Sequence, residues 1–322
     1  MLKNIFPKST CLMLTAVLLL PGTIFELGAN PVLASLQREP LAASIVSLPA
    51  PVEFREDTHR GLQIKTWVNN VGPFVFMIDT GAGMTLLSQR VAGQARVVST
   101  GRKVQTQGAA ALQTSSVDLV TVRQLALGGP SNLLPNRGKV GVTTDLPAGV
   151  DGILDPAEAY QPLGFILDFP ASRIGAFDPM AEPPNQRRIA GDGAQVRWLT
   201  NGQDRRPYVR VNHRWNALID TGAQFGLAVP RTMTEALGVV NPAAGQAGRQ
   251  VHDVNGQGFQ VQRVRPLSIH IESFELNRIP TDILTAVPGD TPLLLGRDAL
   301  RPFRIRFDVT NRLIEFEPVP GN

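Results

Sequence analysis

The chain has 322 residues, which is enough for one large two-lobed domain or two domains of ordinary size. With 43% hydrophobic and 18% charged residues, the composition is that of a globular protein and excludes a disordered one. The formal charge is +4, but the basic residues form no stripe or arm, which argues against nucleic acid as a partner. The 30 glycines and 26 prolines favour short strands separated by turns.

Residues 1–34 are predicted to be a signal peptide. A positively charged start precedes an apolar stretch from Cys11 to Leu20, and Val32-Leu33-Ala34 offers small residues to a signal peptidase, so cleavage after Ala34 is predicted. The apolar stretch is shorter than the ~20 residues of a membrane-spanning helix, so no span is expected after signal removal. The protein is therefore expected to be exported to the periplasm, the cell surface or the medium; an uncleaved anchor is the alternative.

The sequence contains no motif for binding a metal or a cofactor. The single cysteine, Cys11, lies inside the predicted signal, so the mature chain has no disulfide, no cysteine-based zinc site and no cysteine nucleophile. Nucleotide-binding glycine loops and the serine-hydrolase elbow are also absent. None of the histidines has the spacing of a metal-binding pair: His59, His213, His252 and His270. No metal and no cofactor are expected.

The sequence of the first half predicts its strands and turns in chain order. Residues 35–60 form an N-terminal segment that is a pro-segment, a tether or the first strands of the fold. Leu62 to Asn69 alternates apolar and polar residues, which predicts a half-buried strand. Phe74 to Ile78 is continuously apolar and predicts a strand buried on both faces. Thr106 to Gln113, around a glycine, is the candidate hairpin of this half.

The second half begins after a stretch rich in proline, glycine and charge, Pro179 to Gln195, which is interpreted as a linker. Tyr208 to Asn212 alternates like the first strand of the other half. Val254 to Phe259 contains an Asn-Gly turn signal and predicts a second hairpin.

An internal repeat organises the chain. The sequence Ile-Asp-Thr-Gly-Ala occurs at 78–82 and again at 219–223, an offset of 141 residues. At the same offset Gly152-Ile-Leu-Asp155 matches Leu293-Leu-Leu-Gly296, and the two halves end in similar segments at 173–179 and 312–318. The predicted organisation is an N-terminal lobe over 61–179, a linker over 180–195 and a C-terminal lobe over 196–322.

The duplicated Asp-Thr-Gly loops carry the chemical signal. An apolar strand ending in aspartate delivers a carboxylate to the edge of a core, and the glycine allows the tight loop that follows. Two similar halves packed about a pseudo-twofold axis bring equivalent residues together, so Asp79 and Asp220 are expected to meet. Two adjacent carboxylates share a proton, which leaves one as a base and the other as an acid. A duplicated structural turn is the alternative.

The chain resembles the aspartic peptidases of the retroviral and pepsin types. The resemblance rests on Asp79-Thr-Gly-Ala82, on Asp220-Thr-Gly-Ala223 and on the apolar-apolar-Gly element at Leu294-Leu295-Gly296, and it spans about residues 60–318. It implies an all-β, bilobal acid-protease fold, with two similar β-barrel-like lobes and the active cleft between them. It also implies that substrate is covered by a β-hairpin flap.

The resemblance assigns roles to the loop residues. Asp79 and Asp220 match the catalytic pair that holds a water, which attacks the peptide carbonyl without a covalent enzyme intermediate. Thr80 and Thr221 match the threonines that interlock the two loops, with Gly81 and Gly222 as loop support. The expected function is that of an exported aspartic endopeptidase, acting on peptides or unfolded protein segments.

Two departures from the family pattern favour an alternative function. Asp155 stands where the family has glycine, and the only tyrosines, Tyr160 and Tyr208, fall outside both candidate hairpins. A non-catalytic peptide-binding protein that retains the fold is therefore the second hypothesis. The expected state is a monomer in which two halves mimic a dimer; pairing of equal halves between two chains is the third hypothesis.

The residue after each Asp-Thr-Gly bears on the working pH. A hydroxyl at this position could donate a hydrogen bond to a catalytic carboxylate and lower its pKa, but Ala82 and Ala223 cannot. We therefore expect activity at weakly acidic to near-neutral pH, and not only in strong acid.

Overall fold

A computed structural model describes residues 47–107, 114–189, 191–201, 204–239, 248–252, 258–285, 287–288 and 290–319. The predicted signal peptide and the turns of the two candidate hairpins lie outside these ranges. Within them, no helix has the length and apolar character needed to cross a membrane.

The described residues are mainly β-structure. Three short α-helices are present, α1 Gln89–Gln94, α2 Pro156–Ala159 and α3 Arg297–Leu300, with 3-10 turns at Pro184–Gln186, Arg231–Met233 and Glu235–Leu237. The strands in chain order are β1 Val52–Glu53, β2 Arg55–Asp57, β3 Gly61–Val68, β4 Val71–Ile78, β5 Thr85–Ser88, β6 Val98–Gln107, β7 Thr114–Thr121, β8 Leu125–Leu127, β9 Val140–Thr143, β10 Gly152–Leu154, β11 Gly164–Asp168, β12 Arg173–Phe177, β13 Ala194–Arg197, β14 Leu199–Asn201, β15 Asp204–Val211, β16 Trp215–Ile219, β17 Leu227–Pro230, β18 Arg249–His252, β19 Gly258–Ile271, β20 Phe274–Leu284, β21 Leu293–Leu295, β22 Phe303–Asp308 and β23 Leu313–Pro318.

The first half of the chain forms a nine-stranded sheet. Its strand order is β2-β3-β4-β10-β5-β9-β7-β6, and β8 pairs with β3. The continuously apolar β4 lies between β3 and the parallel strand β10, as expected for a strand buried on both faces. Strands β6 and β7 pair antiparallel up to Gln107 and Thr114, so they form the two arms of the predicted first hairpin.

The second half repeats this topology. Its eight-stranded sheet has the order β14-β15-β16-β21-β17-β20-β19-β18. Strand β21 runs parallel to β16 and antiparallel to β17, as β10 does to β4 and β5. Strands β18 and β19 are the arms of the second predicted hairpin. The sequence repeat thus corresponds to a repeat of strand order, and the predicted all-β, two-lobed fold is confirmed.

A third sheet joins the two halves. Its order, β1-β12-β11-β22-β23-β13, combines strands from both ends of the repeat. At its centre β11 pairs antiparallel with β22, and the rings of Phe165 and Phe307 stack with centroids 4.5 Å apart. Strand β13 starts at Ala194, inside the stretch interpreted as a linker. The sequence showed two closing strand pairs but did not show that they share one sheet.

A buried ion cluster holds the segment between the halves against this sheet. Arg187, whose side chain is 3% exposed, contacts the buried carboxylates of Asp308 and Glu315. The guanidinium of Arg187 also lies 4.9 Å from the ring centre of Phe177. Both carboxylates belong to β22 and β23, so one arginine connects the interlobe segment to the C-terminal strands.

Candidate active site

The two Asp-Thr-Gly loops leave equivalent strands at the centres of their sheets. Asp79 follows β4, and its backbone N–H donates to the carbonyl of Leu154 at 3.0 Å. Asp220 follows β16, and its backbone N–H donates to Leu295 at 3.0 Å. In each half, the hydrogen bond to the neighbouring parallel strand therefore fixes the position of the aspartate relative to its sheet.

The structure brings the two predicted aspartates together. The side chains of Asp79 and Asp220 are hydrogen-bonded to each other, and the residues are only 4% and 6% exposed. Each carboxylate also lies against the glycine of the opposite loop. A Cβ atom added to Gly222 would be 2.6 Å from Asp79 Oδ2, and one added to Gly81 would be 2.8 Å from Asp220 Cγ. Both positions require glycine because the carboxyl group of the other lobe occupies the space.

The threonines interlock the loops across the lobes. The Thr80 hydroxyl donates to the Ile219 carbonyl at 2.6 Å and accepts from the Thr221 N–H at 3.1 Å. The Thr221 hydroxyl makes the reciprocal pair, donating to Ile78 O at 3.0 Å and accepting from Thr80 N at 3.0 Å. All four bonds are buried, so they fix the separation of the two aspartates.

Replacement of Thr221 by valine should destabilise the protein by about 2–5 kcal/mol. The isosteric change would remove two buried hydrogen bonds, one from the Thr80 N–H and one to the Ile78 carbonyl, and loss of a buried partner costs about 1–3 kcal/mol each. Urea unfolding measures this loss. Thr221→Ser keeps the hydroxyl and should lose only about 1 kcal/mol for the missing methyl group. Equal losses in the two variants would show that the hydrogen bonds do not matter.

Burial raises the pKa of both aspartates. For Asp79 burial has the largest effect, and the neighbouring charge of Asp220 adds to it, so its pKa lies well above the usual range. For Asp220 burial also raises the pKa, but the hydrogen bonds from Asp79, Ala223 N and Gly222 N oppose it. The backbone N–H of Gly81 donates to Asp79 Oδ1 at 2.8 Å. One proton shared by the pair fits this environment.

Asp79→Asn should raise the stability of the protein at neutral pH. Because the folded pKa of Asp79 lies above its unfolded value, its contribution to stability is complete in acid, below the unfolded pKa, and is lost as the pH rises through the folded pKa. Asparagine cannot ionise, so the free energy of unfolding of the variant should exceed that of the wild type at pH ~7 and approach it near pH ~4.

Asp57→Asn is the control for that measurement, because folding shifts the pKa of Asp57 in the opposite direction. Hydrogen bonds from the backbone N–H groups of His59 and Arg60 lower the pKa of Asp57. Its charge stabilises the folded state above the unfolded pKa, and this contribution is lost as the pH falls through the folded pKa. A neutral side chain at Asp57 should therefore not increase stability at neutral pH. The same gain at both positions would point to a general charge effect.

Two apolar clusters flank the paired loops. The N-side wall consists of Met77, Leu86, Val117, Val150 and Ile153, with Ala82 and Met84 of the first loop packed against it. The C-side wall consists of Tyr208, Leu218, Phe225, Ala228, Val261, Leu284 and Leu294, with Ala223 of the second loop packed against it. Met77 and Leu218 precede the aspartates by two residues, so they lie on the same strand faces as the carboxylates.

The hairpin arms contribute to these walls. Val117 belongs to β7, and Val261 belongs to β19. Each predicted hairpin is thus attached to the wall on its own side of the aspartate pair. Tyr208 lies on β15 in the C-side wall, outside both hairpins, as the sequence indicated.

Arg297 is a buried residue of the site that the sequence analysis did not identify. It is 1% exposed, and its Nη1 donates to the carbonyls of Thr221 at 2.9 Å and Gly222 at 3.1 Å. The sequence feature that could have identified Arg297 is its place directly after the apolar-apolar-Gly element, Leu294-Leu295-Gly296. Asp155, which the sequence marked as a departure, is also buried, at 2% exposure, and caps α2 by accepting from Ala157 N at 2.9 Å.

Two central loops with paired buried aspartates, in a duplicated all-β fold, define the class of bilobal acid hydrolases. Comparison with known proteins gives the family. The model of the family described as "Aspartyl protease" matches residues 64–154, and that described as "gag-polyprotein putative aspartyl protease" matches residues 209–302. These matches fall at corresponding places in the two halves, and each contains one Asp-Thr-Gly loop.

The fold is similar to that of the aspartic proteinase from Irpex lacteus. That crystal structure matches with a TM-score of 0.54 and 14% sequence identity, over 84% of this chain and 97% of the other. No curated protein sequence matches the chain significantly. The chain belongs to the aspartic peptidases of the retropepsin and pepsin type and is an aspartic-type endopeptidase. The family and enzyme class expected from the paired loops are confirmed.

Proposed function

We propose that Asp79 and Asp220 are the catalytic carboxylates and that they hydrolyse peptide bonds with a water molecule held between them. The observation that carries this proposal is the contact between the two buried carboxyl groups on loops locked together by Thr80 and Thr221. A water-excluding environment strengthens the electrostatic effect of both groups on a reacting carbonyl. The interlocked loops supply this arrangement before substrate binds.

One carboxyl group of the pair acts as a general base and the other as a general acid. The ionised carboxylate takes a proton from the water as the water oxygen attacks the carbonyl carbon, and the protonated carboxyl group donates to the carbonyl oxygen. Collapse of the tetrahedral intermediate breaks the C–N bond while the amine takes up a proton from the first carboxyl group. The carboxyl group that donated to the carbonyl oxygen recovers a proton from a hydroxyl group of the collapsing intermediate, so Asp79 and Asp220 return to their starting states without any bond between substrate and protein.

The substrate is proposed to be an extended peptide or an unfolded protein segment with apolar residues on both sides of the scissile bond. The partly exposed Ala82 and Met84 of the first loop and Ala223 of the second, which pack on the buried N-side and C-side walls, place apolar side chains on either side of the aspartates. Strand-like peptides present alternate side chains to opposite faces, which suits recognition by two such walls. Because one chain supplies both loops, a monomer is proposed to be the active form.

Export from the cytoplasm is also proposed, on the basis of the N-terminal sequence. The charged start, the apolar stretch from Cys11 to Leu20 and the small residues before position 35 support a signal peptide. N-terminal sequencing of the protein from its native source should then begin at Ser35. A protein that still carries residues 1–34 would refute cleavage and leave an anchor as the explanation.

The proposed activity is tested by digestion of a peptide library across pH ~4–7, near the range in which coupled carboxylates titrate. Mass spectrometry should find internal cuts flanked by apolar residues, with activity in the weakly acidic to near-neutral range. A profile confined to pH ~3 or below would contradict the expected effect of Ala82 and Ala223. No cleavage by mature, folded protein would refute the proposed activity and favour peptide binding without catalysis.

A further inference from the structure

The two catalytic loops differ in the residue that lies beside them. Because Ile78 pairs with Leu154 and Ile219 pairs with Leu295 on parallel strands, the residue after each of these leucines lies next to the aspartate. That residue is Asp155 in the first half and Gly296 in the second. The first lobe therefore places a third buried carboxyl group beside the pair, and the second does not.

The difference follows from the length of the loops. Leu86 pairs with Ile153 and follows Asp79 by seven residues, whereas its counterpart Ala228 pairs with Leu294 and follows Asp220 by eight. The longer second loop presses on Gly296, where a Cβ atom would be 2.5 Å from Phe225 O and 2.7 Å from Ala223 O. The shorter first loop leaves room for the side chain of Asp155.

Asp155 is held in a defined position. Its carboxylate accepts from the N–H of Ala157, and its own N–H donates to the Thr85 hydroxyl at 3.2 Å. An N–H bond to a carboxylate favours the ionised form. The negative charge of Asp155 adds a smaller contribution to the raised pKa of Asp79, after burial, the charge of Asp220 and the hydrogen bond with Asp220.

The second lobe has a buried positive charge instead. Arg297 follows Gly296, and its Nη1 holds the backbone carbonyls of the Asp220 loop. Its Nε pairs with Glu56 at 3.3 Å, and Glu56 also pairs with Arg301. The charge of Arg297 opposes the rise in the pKa of Asp220. Among the described residues, the charged groups around the pair are Asp155 on one side and Arg297, with its partners Glu56 and Arg301, on the other. The side chain of Arg206 also lies against the first loop, where a Cβ atom added to Gly83 would be 3.6 Å from its Cδ.

We propose that Asp155 and Arg297 are positioning residues that hold the single proton of the pair on Asp79 and leave Asp220 ionised. This rests on the proposed function of the pair. Asp220 then takes the proton from the attacking water, and Asp79 donates to the carbonyl oxygen. As the C–N bond breaks, Asp220 gives its proton to the amine, and Asp79 recovers one from the new carboxyl group, so the cycle needs no other reactant.

The test is the pH dependence of kcat/KM on a peptide cut by the wild type. Asp155→Asn should move the alkaline limb to lower pH by about 0.5–1 unit and leave the acid limb in place, because Asp79 loses its proton more easily. Arg297→Gln should move the acid limb to higher pH by a similar amount, because Asp220 becomes harder to ionise. The two substitutions thus narrow the profile from opposite sides.

Controls separate this role from a merely structural one. Arg297→Lys keeps the charge and should keep the acid limb of the wild type. If Arg297→Gln does not fold, Glu56→Gln replaces it; removal of the opposing charge should move the acid limb to lower pH. A uniform fall in kcat/KM with unmoved limbs overturns the proposal while the peptidase assignment stands. A wild type without cleavage overturns both.

A spectroscopic readout makes the assignment independent of turnover. Carbon-13 NMR of aspartate carboxyl groups in the whole chain, assigned with Asp79→Asn and Asp220→Asn, should show Asp79 as the protonated member at the pH where the wild type is most active. Asp155→Asn should shift the Asp79 titration to lower pH. A proton found on Asp220 instead, or a titration unaffected by Asp155→Asn, would overturn the proposal.

Discussion

Asp79→Asn and Asp220→Asn should each lower kcat/KM for peptide cleavage by at least about a thousandfold. Proton transfer by a positioned group is worth about 10²–10⁴ in rate, and either substitution removes one member of a pair that acts as a unit. Without Asp220 the pair has no base for the water, and without Asp79 it has no acid for the carbonyl. Both changes are nearly isosteric, so the interlocked loops should remain intact.

Asp118→Asn is the matched control, since it makes the same chemical change on the exposed side of β7, where Asp118 pairs only with Lys103 among the described residues. Its activity should stay within about twofold of the wild type because exposed ion pairs contribute little. The measurement is cleavage of one peptide by equal amounts of folded protein, checked by circular dichroism. More than about a tenth of the activity remaining in either dyad variant would contradict the assignment of Asp79 and Asp220.

Arg187→Met should destabilise the protein by about 3 kcal/mol, the largest effect expected away from the site. The substitution leaves the carboxylates of Asp308 and Glu315 buried, and removal of one partner of a buried ion pair costs about 3–5 kcal/mol. Asn311 and Arg306 keep a contact with one carboxylate each, so a loss at the low end of the range is expected. Urea unfolding followed by tryptophan fluorescence measures it.

The comparison is Arg173→Met, which breaks the exposed ion pair with Glu53 between β12 and β1. Exposed pairs contribute about 0–1 kcal/mol, so the loss there should be at most about 0.5 kcal/mol. Similar losses in the two variants would show that burial of the Arg187 cluster does not increase its contribution to the free energy of unfolding. A gain in stability for Arg187→Met would mean that the cluster costs more than a hydrophobic replacement.

Local patterns in the sequence were sufficient to predict the elements that carry the two aspartates. The continuously apolar Phe74–Ile78 segment predicted a buried strand, and β4 lies between two neighbours in its sheet. The repeat of Ile-Asp-Thr-Gly-Ala predicted two equivalent loops, which the structure brings into contact. The hairpin arms β6–β7 and β18–β19 also followed from local signals, because turn residues between extended stretches act over a few positions.

These local patterns did not predict which distant strands pair with each other. The sheet that joins β11 to β22 links residues more than a hundred positions apart, and alternation of apolar residues does not specify the partner of a strand. The position of Arg187 between Asp308 and Glu315 has the same origin, since the sequence shows three charged residues and not their burial.

The division between sequence and tertiary structure is clearest at the active site. By itself, the sequence determined the two Asp-Thr-Gly loops and their repetition in two similar halves, because these depend on local chemistry repeated within one chain. The resemblance of these motifs to the aspartic peptidases then implied the two-lobed, all-β fold. Only the tertiary structure decided that Asp155 lies beside Asp79 and that Arg297 supports the loop of Asp220. Their effect is electrostatic, and the strength of a charge depends on its distance and burial, which folding sets.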